Sequence, residues 1–206
     1  MKLLFSVVLI FAEGTFVASG QIRTKTASTG SMLPNIPINS ILVVDESYYS
    51  NRSPSRFDIV VAHREDKPFP HADLVSIQIV ARVVGLPGEV ISIRKGRLYV
   101  NGRWQKEPFP TRSCPLKDDE GFPCRQMPPV RIPSDHYFLL ADNRPESEDS
   151  RLWSPKTIPR HDVLGKVVRI IPPPPPPNKA LQLTARQHVS QVNFCPSARM
   201  LIARRS

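Results

Sequence analysis

The sequence lacks the periodic patterns of helical folds. Between residues 22 and 171, no segment of about twelve or more residues keeps a 3.6-residue apolar period, strand patterns do not alternate with helical ones, and no internal repeat occurs. Prolines are abundant instead: the 23 prolines among 206 residues, about 11 %, are roughly twice the usual ~5 % share. Each proline removes a backbone donor and interrupts a helix, so a helical bundle is excluded.

Acidic residues are absent from the last 29 residues, 178–206, which hold five of the Lys and Arg residues. Half of the net charge of +10 therefore belongs to this tail. Six consecutive prolines, Pro172 to Pro177, precede it, and such a run continues neither a sheet nor a helix. We expect residues 172–206 to be disordered, with a functional basic arm as the alternative. Because no basic helix or aromatic platform accompanies the charge, no nucleic-acid partner is expected.

Long hydrophobic runs are also lacking, apart from one short run at the N-terminus. Lys2 is followed by about ten mostly apolar residues, Leu3 to Ala12. This pattern is typical of a secretory signal and falls short of the ~20 residues of a spanning helix. We expect residues 1–20 to be a membrane anchor or an export signal, with burial in the domain as the alternative. Either export interpretation places the main domain on the extracytoplasmic side of a membrane.

Cysteines are few, at three in the chain. Cys114 and Cys124 flank an acidic, turn-rich segment, and the sequence leaves a disulfide, free thiols and a metal site open. The spacing lacks the second C-x-x-C or His pair that a zinc site needs, so we expect no metal and no cofactor. Cys195 lies in the tail without an evident partner.

The middle of the chain is rich in short β-branched segments, each bounded by Gly, Pro, Asn or Asp. The predicted strands are residues 41–45, 58–63, 77–84, 90–93, 97–100, 137–141 and 163–171. They predict a mostly β class with coiled or barrel-like antiparallel sheets over residues 21–171. Within it, residues 105–133 are expected to form a Pro-rich loop excursion.

Three segments between these patterns carry candidate chemistry. In T-G-S-M, residues 29–32, a serine after glycine can sit on a tight turn, with a second hydroxyl two residues earlier. In A-R-V-V-G-L-P-G-E, residues 81–89, a strand runs into a sharp turn, and Arg82 is predicted to make a structural ion pair. In A-D-N-R-P-E-S-E-D-S-R, residues 141–151, Asp149 is the natural partner of Arg151 or Arg144. An ordinary turn and a solvated loop are the alternatives.

Together, in order and spacing, these segments resemble the motifs of the type I signal peptidase family, membrane-bound serine proteases with a Ser–Lys dyad. Family members show S-x-S-M, then K-R-V-x-G-x-P-G-D, then G-D-N-R-x-x-S-x-D-S-R. The later Gly165-Lys166-Val167 also resembles the closing strand of the family. The resemblance covers about residues 26–171 and implies a fold of coiled antiparallel sheets with an N-terminal membrane anchor.

The resemblance implies a role for each motif residue. Ser31 would be the nucleophile, and the Thr29 hydroxyl would form the oxyanion hole with the Ser31 backbone N–H. Ser147 would orient the general base, and Met32 would line the site against the membrane. The remaining support residues are Arg82, Asp142, Arg144, Asp149 and Arg151. Substrates would be exported preproteins with small residues at the first and third positions before the cut, in shallow pockets that include Ile79 and Val83.

The sequence departs from the family at Ala81, where members carry the catalytic lysine. A methyl group cannot take the serine proton, and general-base help is worth about 10²–10⁴ in rate. The candidate replacement bases are His63, His71, His136, His161 and Lys95, none of which the sequence places near Ser31.

Two hypotheses follow from this departure. The chain is either a signal-peptide-removing endopeptidase that is impaired as written, or an inactive homologue that binds signal-peptide-like segments or a membrane partner. A self-cleaving repressor of the related Ser–Lys type would need an N-terminal helix-turn-helix, for which residues 1–28 are too short and too apolar.

Overall fold

A computed structural model describes residues 21–66, 73–112 and 126–175. The expected anchor, residues 1–20, lies outside the described residues, as do His71, all three cysteines and residues 176–206 of the expected tail. The chain divides into two units after Pro173, and only Pro174 and Pro175 of the second unit are described.

The described residues form eleven strands and two short 3-10 helices, Arg144–Glu146 and Arg160–Asp162. In chain order the strands are β1 (Ile22–Thr26), β2 (Ile41–Asp45), β3 (Ile59–Asp66), β4 (Val75–Gly85), β5 (Val90–Arg94), β6 (Arg97–Val100), β7 (Arg103–Trp104), β8 (Gln126–Arg131), β9 (His136–Leu140), β10 (Ile158–Pro159) and β11 (Val163–Ile171). The mostly β class predicted from the sequence is confirmed.

The strands form two antiparallel sheets. The larger sheet has the order β1-β2-β11-β3-β4-β9-β10, and the smaller has the order β7-β6-β5-β8. Leu42, Val44 and Val61 pack on one face of the larger sheet, together with Met32 and Ile36 from the loop after β1. This face is concave, because the sheet coils until side chains of β1 and β4 meet across it.

The other face of the larger sheet carries a second apolar cluster. It contains Val60 and Ala62 of β3, Ala81 and Val83 of β4, and Trp153. A third cluster, around Ile91, Leu98 and Phe138, joins the smaller sheet to the ends of β4 and β9. The strand that carries position 81 is therefore supported on both faces.

All seven predicted strands occur, with ends shifted by a few residues at most. The structure differs from the predicted loop excursion over residues 105–133, because Gln126–Arg131 of that segment forms β8. Pro128 and Pro129 argue against a strand at this place in the sequence, since proline donates no hydrogen bond to a ladder. β8 is tolerated because it lies at the edge of the smaller sheet. Within the described ranges, no helix is long and apolar enough to cross a membrane.

Candidate active site

Ser31 lies on a tight turn between β1 and β2. Leu33 N–H donates to Gly30 O at 3.1 Å, and Ile36 N–H donates to Met32 O at 2.9 Å. Met32 and Ile36 are buried in the concave face of the sheet, so the turn is anchored from below while Ser31 stays half-buried. The Ser31 and Thr29 side-chain oxygens are 3.1 Å apart, within hydrogen-bond distance. The two hydroxyls predicted to act together are therefore neighbours.

Ser31 and Ala81 line one cavity of about 590 Å³. The cavity lies in a slot between two strand edges that carry no partner strand among the described residues. One edge is β1, the first strand of the larger sheet. The other is the Val75–Ala81 part of β4, because β9 pairs with β4 only from Arg82 onward. Both edges offer unpaired backbone groups, to which an extended peptide can add as a strand.

The walls of this slot are mostly apolar. Ala27, Met32, Ile36, Val80 and Trp153 line the cavity together with Ile79. The prediction for Ile79 as a wall residue agrees with this geometry, but the prediction for Val83 does not. Val83 pairs with Leu139 of β9, which closes the edge at that point, and its side chain is fully buried in the core.

Among the described residues, no base hydrogen-bonds to Ser31 Oγ. Ala81 is 3 % exposed, and its methyl group belongs to the apolar cluster that includes Leu139 and Trp153. Within the described part of the chain, Ser31 Oγ has one hydrogen-bond partner, Thr29 Oγ1. The one lysine that lines the cavity there is Lys25.

The candidate replacement bases that are described lie elsewhere. His63 Nδ1 is 3.2 Å from Asp162 Oδ1, and its Nε2 is 2.7 Å from Ser76 Oγ. His136 Nδ1 is 2.9 Å from Ser134 O. His161 is largely exposed, and Lys95 lies in the exposed turn between β5 and β6. None of these four lines the cavity with Ser31.

The loop after β9, residues 141–151, holds the Ser31 turn by hydrogen bonds to the backbone carbonyl oxygens of that turn. Asn143 N–H donates to Ser31 O at 2.9 Å, and Asn143 Nδ2 donates to Gly30 O at 3.0 Å. Ser147 Oγ donates to the same Ser31 O at 3.3 Å. The resemblance implies that Ser147 orients a base, but the Ala81 side chain offers no polar atom. Here the Ser147 hydroxyl helps to fix the Ser31 carbonyl instead.

A buried ion pair supports this loop. Arg82 Nε and Nη2 donate to the two Asp142 carboxylate oxygens at 2.9 and 2.6 Å. The side chains are 8 % and 0 % exposed. Asn35 Nδ2 also donates to Asp142, at 2.7 Å. The structural ion pair predicted for Arg82 thus ties β4 to the residue next to Asn143.

Asp149 and Arg151 brace the other end of the loop. Arg151 Nε donates to Asp149 Oδ1 at 2.7 Å, and Arg151 Nη2 donates to Oδ2 at 2.8 Å. Asp149 also accepts from Ala141 N–H at 3.1 Å. Arg144 takes no part in this pair and instead forms an ion pair with Glu107. Of the two partners predicted for Asp149, the structure therefore selects Arg151.

Residues 105–112, which we call the strap, support the site, a role that the sequence did not predict. Phe109 lies over the Arg82 guanidinium, 3.7 Å from ring centroid to Cζ. Pro110 O accepts from Asn35 Nδ2 at 2.8 Å, and Arg112 N–H donates to Asp142 O at 3.0 Å. These contacts join residues at least 25 positions apart, so no local pattern in the sequence signals them.

Comparison with known proteins decides the family. The family model for signal peptidase, peptidase S26, matches residues 1–171. This chain belongs to the signal peptidase family S26. It is 32 % identical over 170 residues to "Signal peptidase I" of Leptolyngbya laminosa, covering 81 % of this chain and 75 % of that protein. It is 33 % identical over 172 residues to "Probable signal peptidase I-2" of Synechocystis sp., covering 81 % and 69 %.

A solved relative covers less of this chain. The crystal structure of a signal peptidase I from Enterococcus faecalis is 26 % identical, with a TM-score of 0.38, over 57 % of this chain and 98 % of the other. The match to the family model and to the sequence relatives makes this chain a serine peptidase by family. In this chain the loop of the third family motif, residues 141–151, contacts the turn of the first motif, residues 29–32, at Ser31.

The closing strand of this S26 chain carries a second charged cluster, outside the cavity. Lys166 Nζ is 2.7 Å from Asp58 Oδ1 and donates to the Tyr48 hydroxyl at 3.3 Å. The hydrogen bond from Lys166 lowers the pKa of Tyr48, and Arg52 lowers it further. Burial lowers the pKa of Lys166, but its hydrogen bonds to Asp58 and Tyr48 outweigh burial and raise it. Held protonated in this way, Lys166 is unsuited to act as a base.

Proposed function

We propose that this chain is a serine endopeptidase of the signal peptidase I type, which removes signal peptides from exported preproteins, and that alanine at position 81 impairs it. One observation carries the proposal. Ser31 and Thr29 place two neighbouring hydroxyls on an apolar slot with two free strand edges, and Ala81 lines the same slot. The site thus holds a nucleophile and a peptide-sized groove, and among the described residues no basic group hydrogen-bonds to Ser31 Oγ.

In the proposed reaction, Ser31 Oγ attacks the carbonyl carbon of the scissile bond and loses its proton. The resulting oxyanion receives hydrogen bonds from Thr29 Oγ1 and from the Ser31 backbone N–H, which has no other partner among the described residues. The proton then passes to the leaving amine, and water releases the acylated serine. Without a base, the first proton transfer is slow, because a serine hydroxyl is a weak nucleophile.

The proposed substrates follow from the walls of the slot. Ala27, Met32 and Ile36 make an apolar floor, and the backbone edge of β4 lies beside it. Such a site accepts a small side chain next to the scissile bond and excludes a charged one, which would lose its hydration. Exported preproteins with small residues at the first and third positions before the cut fit this site.

The proposed location is a membrane surface. Residues 1–20 would anchor the chain, and the domain that carries Ser31 would lie on the extracytoplasmic side. In that arrangement the slot receives the end of a signal peptide that emerges from the bilayer. A nucleic-acid partner is not proposed.

Restoring the lysine tests the function. The variant Ala81→Lys, assayed with a purified preprotein, should cleave about 10²–10⁴ times faster than the chain as given. The apolar surroundings of position 81, with Leu139 and Trp153, should lower the pKa of the new lysine and keep a useful fraction neutral. Ala81→Met is the matched control, since it adds a side chain of similar length without an amine.

Three outcomes separate the possibilities. Cleavage by Ala81→Lys that disappears on adding Ser31→Ala supports the proposal. Equally fast cleavage by the unmodified chain, lost with Ser31→Ala, overturns the impairment. A folded Ala81→Lys variant that binds the signal peptide but never cuts it overturns the peptidase.

That last outcome would favour the second candidate function, a homologue that binds signal-peptide-like segments or a membrane partner. The observation in its favour is a slot of about 590 Å³ in which, among the described residues, no base hydrogen-bonds to Ser31. Binding that persists in Ser31→Ala, with no cleavage at any pH, is the result expected of it.

A further inference from the structure

A single hydrogen bond crosses the slot at the β1 end. Lys25 Nζ donates to Gln78 Oε1 at 2.6 Å. Lys25 lies on β1 and Gln78 on β4, which are separated by three strands in the order of the larger sheet. Neighbouring strands lie about 4.8 Å apart, so the two side chains meet only because the sheet coils. We call this pair the clasp.

Both clasp residues point to the concave face of the sheet. Lys25 pairs with Leu42, whose side chain is buried on that face. Gln78 is two residues from Val80, which packs against the same cluster. The cavity lining includes both clasp residues and also Ile79, on the opposite face of β4. The cavity thus wraps around the free edge of β4, and the clasp spans it.

The distance of the clasp from the reacting bond follows from strand geometry. Gln78 is three residues before Ala81 on the same strand, about 10 Å at ~3.3 Å per residue. A peptide added to this edge is also extended and advances by the same amount per residue. Because Gln78 lies on the face of β4 opposite Ile79 and Ala81, side chains at the first and third positions accompany Ala81 and Ile79, and the clasp meets the side chain of the fourth residue.

The charge at this place is positive. Among the described residues that line the cavity, Lys25, Glu148 and Asp149 are charged. Asp149 is buried and bound to Arg151. Glu148 belongs to the loop that holds Ser31, whereas Lys25 lies on β1. The acceptor of Lys25 is a neutral amide oxygen, for which a carboxylate is a stronger replacement.

We infer that the clasp reads the charge of the substrate, so that the chain favours an acidic side chain and disfavours Lys or Arg at the fourth residue before the cut. The inference rests on the proposed function, since it assumes a peptide in the slot. A bound carboxylate displaces Gln78 from Lys25, while a bound cation meets a like charge that has lost its acceptor. Lys25 and Gln78 are specificity-determining residues in this scheme.

Peptide binding tests the inference without cleavage. The full chain carrying Ser31→Ala is titrated into fluorescent signal peptides, with Ala, Asp or Lys at the fourth residue before the cut and small residues at the first and third. The Asp peptide should bind about two- to five-fold tighter than the Ala peptide, the range of an exposed ion pair, and the Lys peptide should bind more weakly than the Ala peptide. The difference should shrink in about 1 M salt, where charges are screened beyond ~3 Å.

Variants of the clasp separate charge recognition from a structural role. Lys25→Gln should equalise the peptides, and Lys25→Glu should reverse their order. Lys95→Gln removes the same charge from the smaller sheet and should preserve the original order. Equal binding of all peptides to the unmodified clasp, or an order that survives Lys25→Glu, overturns this inference alone. No binding of even the Ala peptide overturns the peptide-binding slot, and the proposed function with it.

Discussion

Removing the Asp142 carboxylate should destabilise the fold far more than removing a carboxylate from a surface pair. In Asp142→Ala, the Arg82 guanidinium stays buried, and among the described residues it keeps only a hydrogen bond to Phe57 O, at 2.9 Å, and the stack on the Phe109 ring. Breaking a buried pair by deleting one partner costs about 3–5 kcal/mol, because the remaining charge is uncompensated. For a domain of this size each kcal/mol lowers Tm by about 2–4 °C, so Tm should fall by about 6–20 °C.

The chain contains a matched control for this experiment. Arg23 Nε lies 2.9 Å from Glu46 Oε2, but the two side chains are 66 % and 23 % exposed. An exposed pair contributes about 0–1 kcal/mol, so Glu46→Ala should lower Tm by about 4 °C at most. Unfolding of the full chain can be followed by the fluorescence of Trp153, which is 5 % exposed in the folded state.

A double variant distinguishes an unpaired charge from an empty space. Arg82→Met combined with Asp142→Leu removes both charges and fills much of their volume, so it should be clearly more stable than Asp142→Ala alone. If Asp142→Ala and Glu46→Ala shift Tm equally, the Arg82–Asp142 pair does not stabilise the loop as argued. If the double variant is no better than Asp142→Ala, the cost comes from lost shape and not from the buried charge.

Two further predictions concern neighbouring aromatic groups. Phe109→Ala should lower the free energy of unfolding by about 1–2 kcal/mol, because the Arg82 guanidinium loses the ring it stacks on. Phe109→Leu keeps most of the apolar volume and serves as the control. If the Phe109→Leu variant is as stable as the unmodified chain, the ring makes no cation–π contribution. In an ultraviolet titration, Tyr48 should ionise below the ordinary tyrosine range, and Lys166→Met should move it up, whereas an unmoved titration would refute the Lys166 effect. Because the fold favours the ionised form of Tyr48, this group stabilises the folded state above the ordinary tyrosine pKa. That contribution to the free energy of unfolding is lost as the pH falls through the pKa of Tyr48 in the folded state.

The strands could be predicted where the sequence encodes both a strand and its turn. β5 and β6 contain mostly β-branched, aromatic and other apolar residues. Lys95 and Gly96 between them adopt the positive φ angles, 50° and 73°, of a tight hairpin. β1 could not be predicted, because nearly all of its residues are exposed and its place is set by pairing with β2. Its free edge nevertheless forms one side of the slot.

The site could be predicted where partners are close in sequence. Thr29 and Ser31 are two residues apart, and so are Asp149 and Arg151, so the motifs contain both members of each pair. An ion pair could be expected for Arg82, but its partner Asp142 is 60 residues away. Phe109 has no motif at all, because its contact with Arg82 exists only once the strap folds back over the site.

The contacts that position Ser31 do not involve the side chain at position 81. The Ser31 carbonyl oxygen accepts hydrogen bonds from Asn143 and Ser147, and the Ser31 turn is anchored by Met32. The Ala81 methyl contributes only apolar packing on the far face of β4. Replacing a lysine by alanine there removes a proton acceptor while the scaffold of the nucleophile has no contact to lose. A folded Ala81→Lys variant that binds the signal peptide and fails to cleave it could therefore not be explained by a misplaced Ser31, which is why that outcome overturns the peptidase.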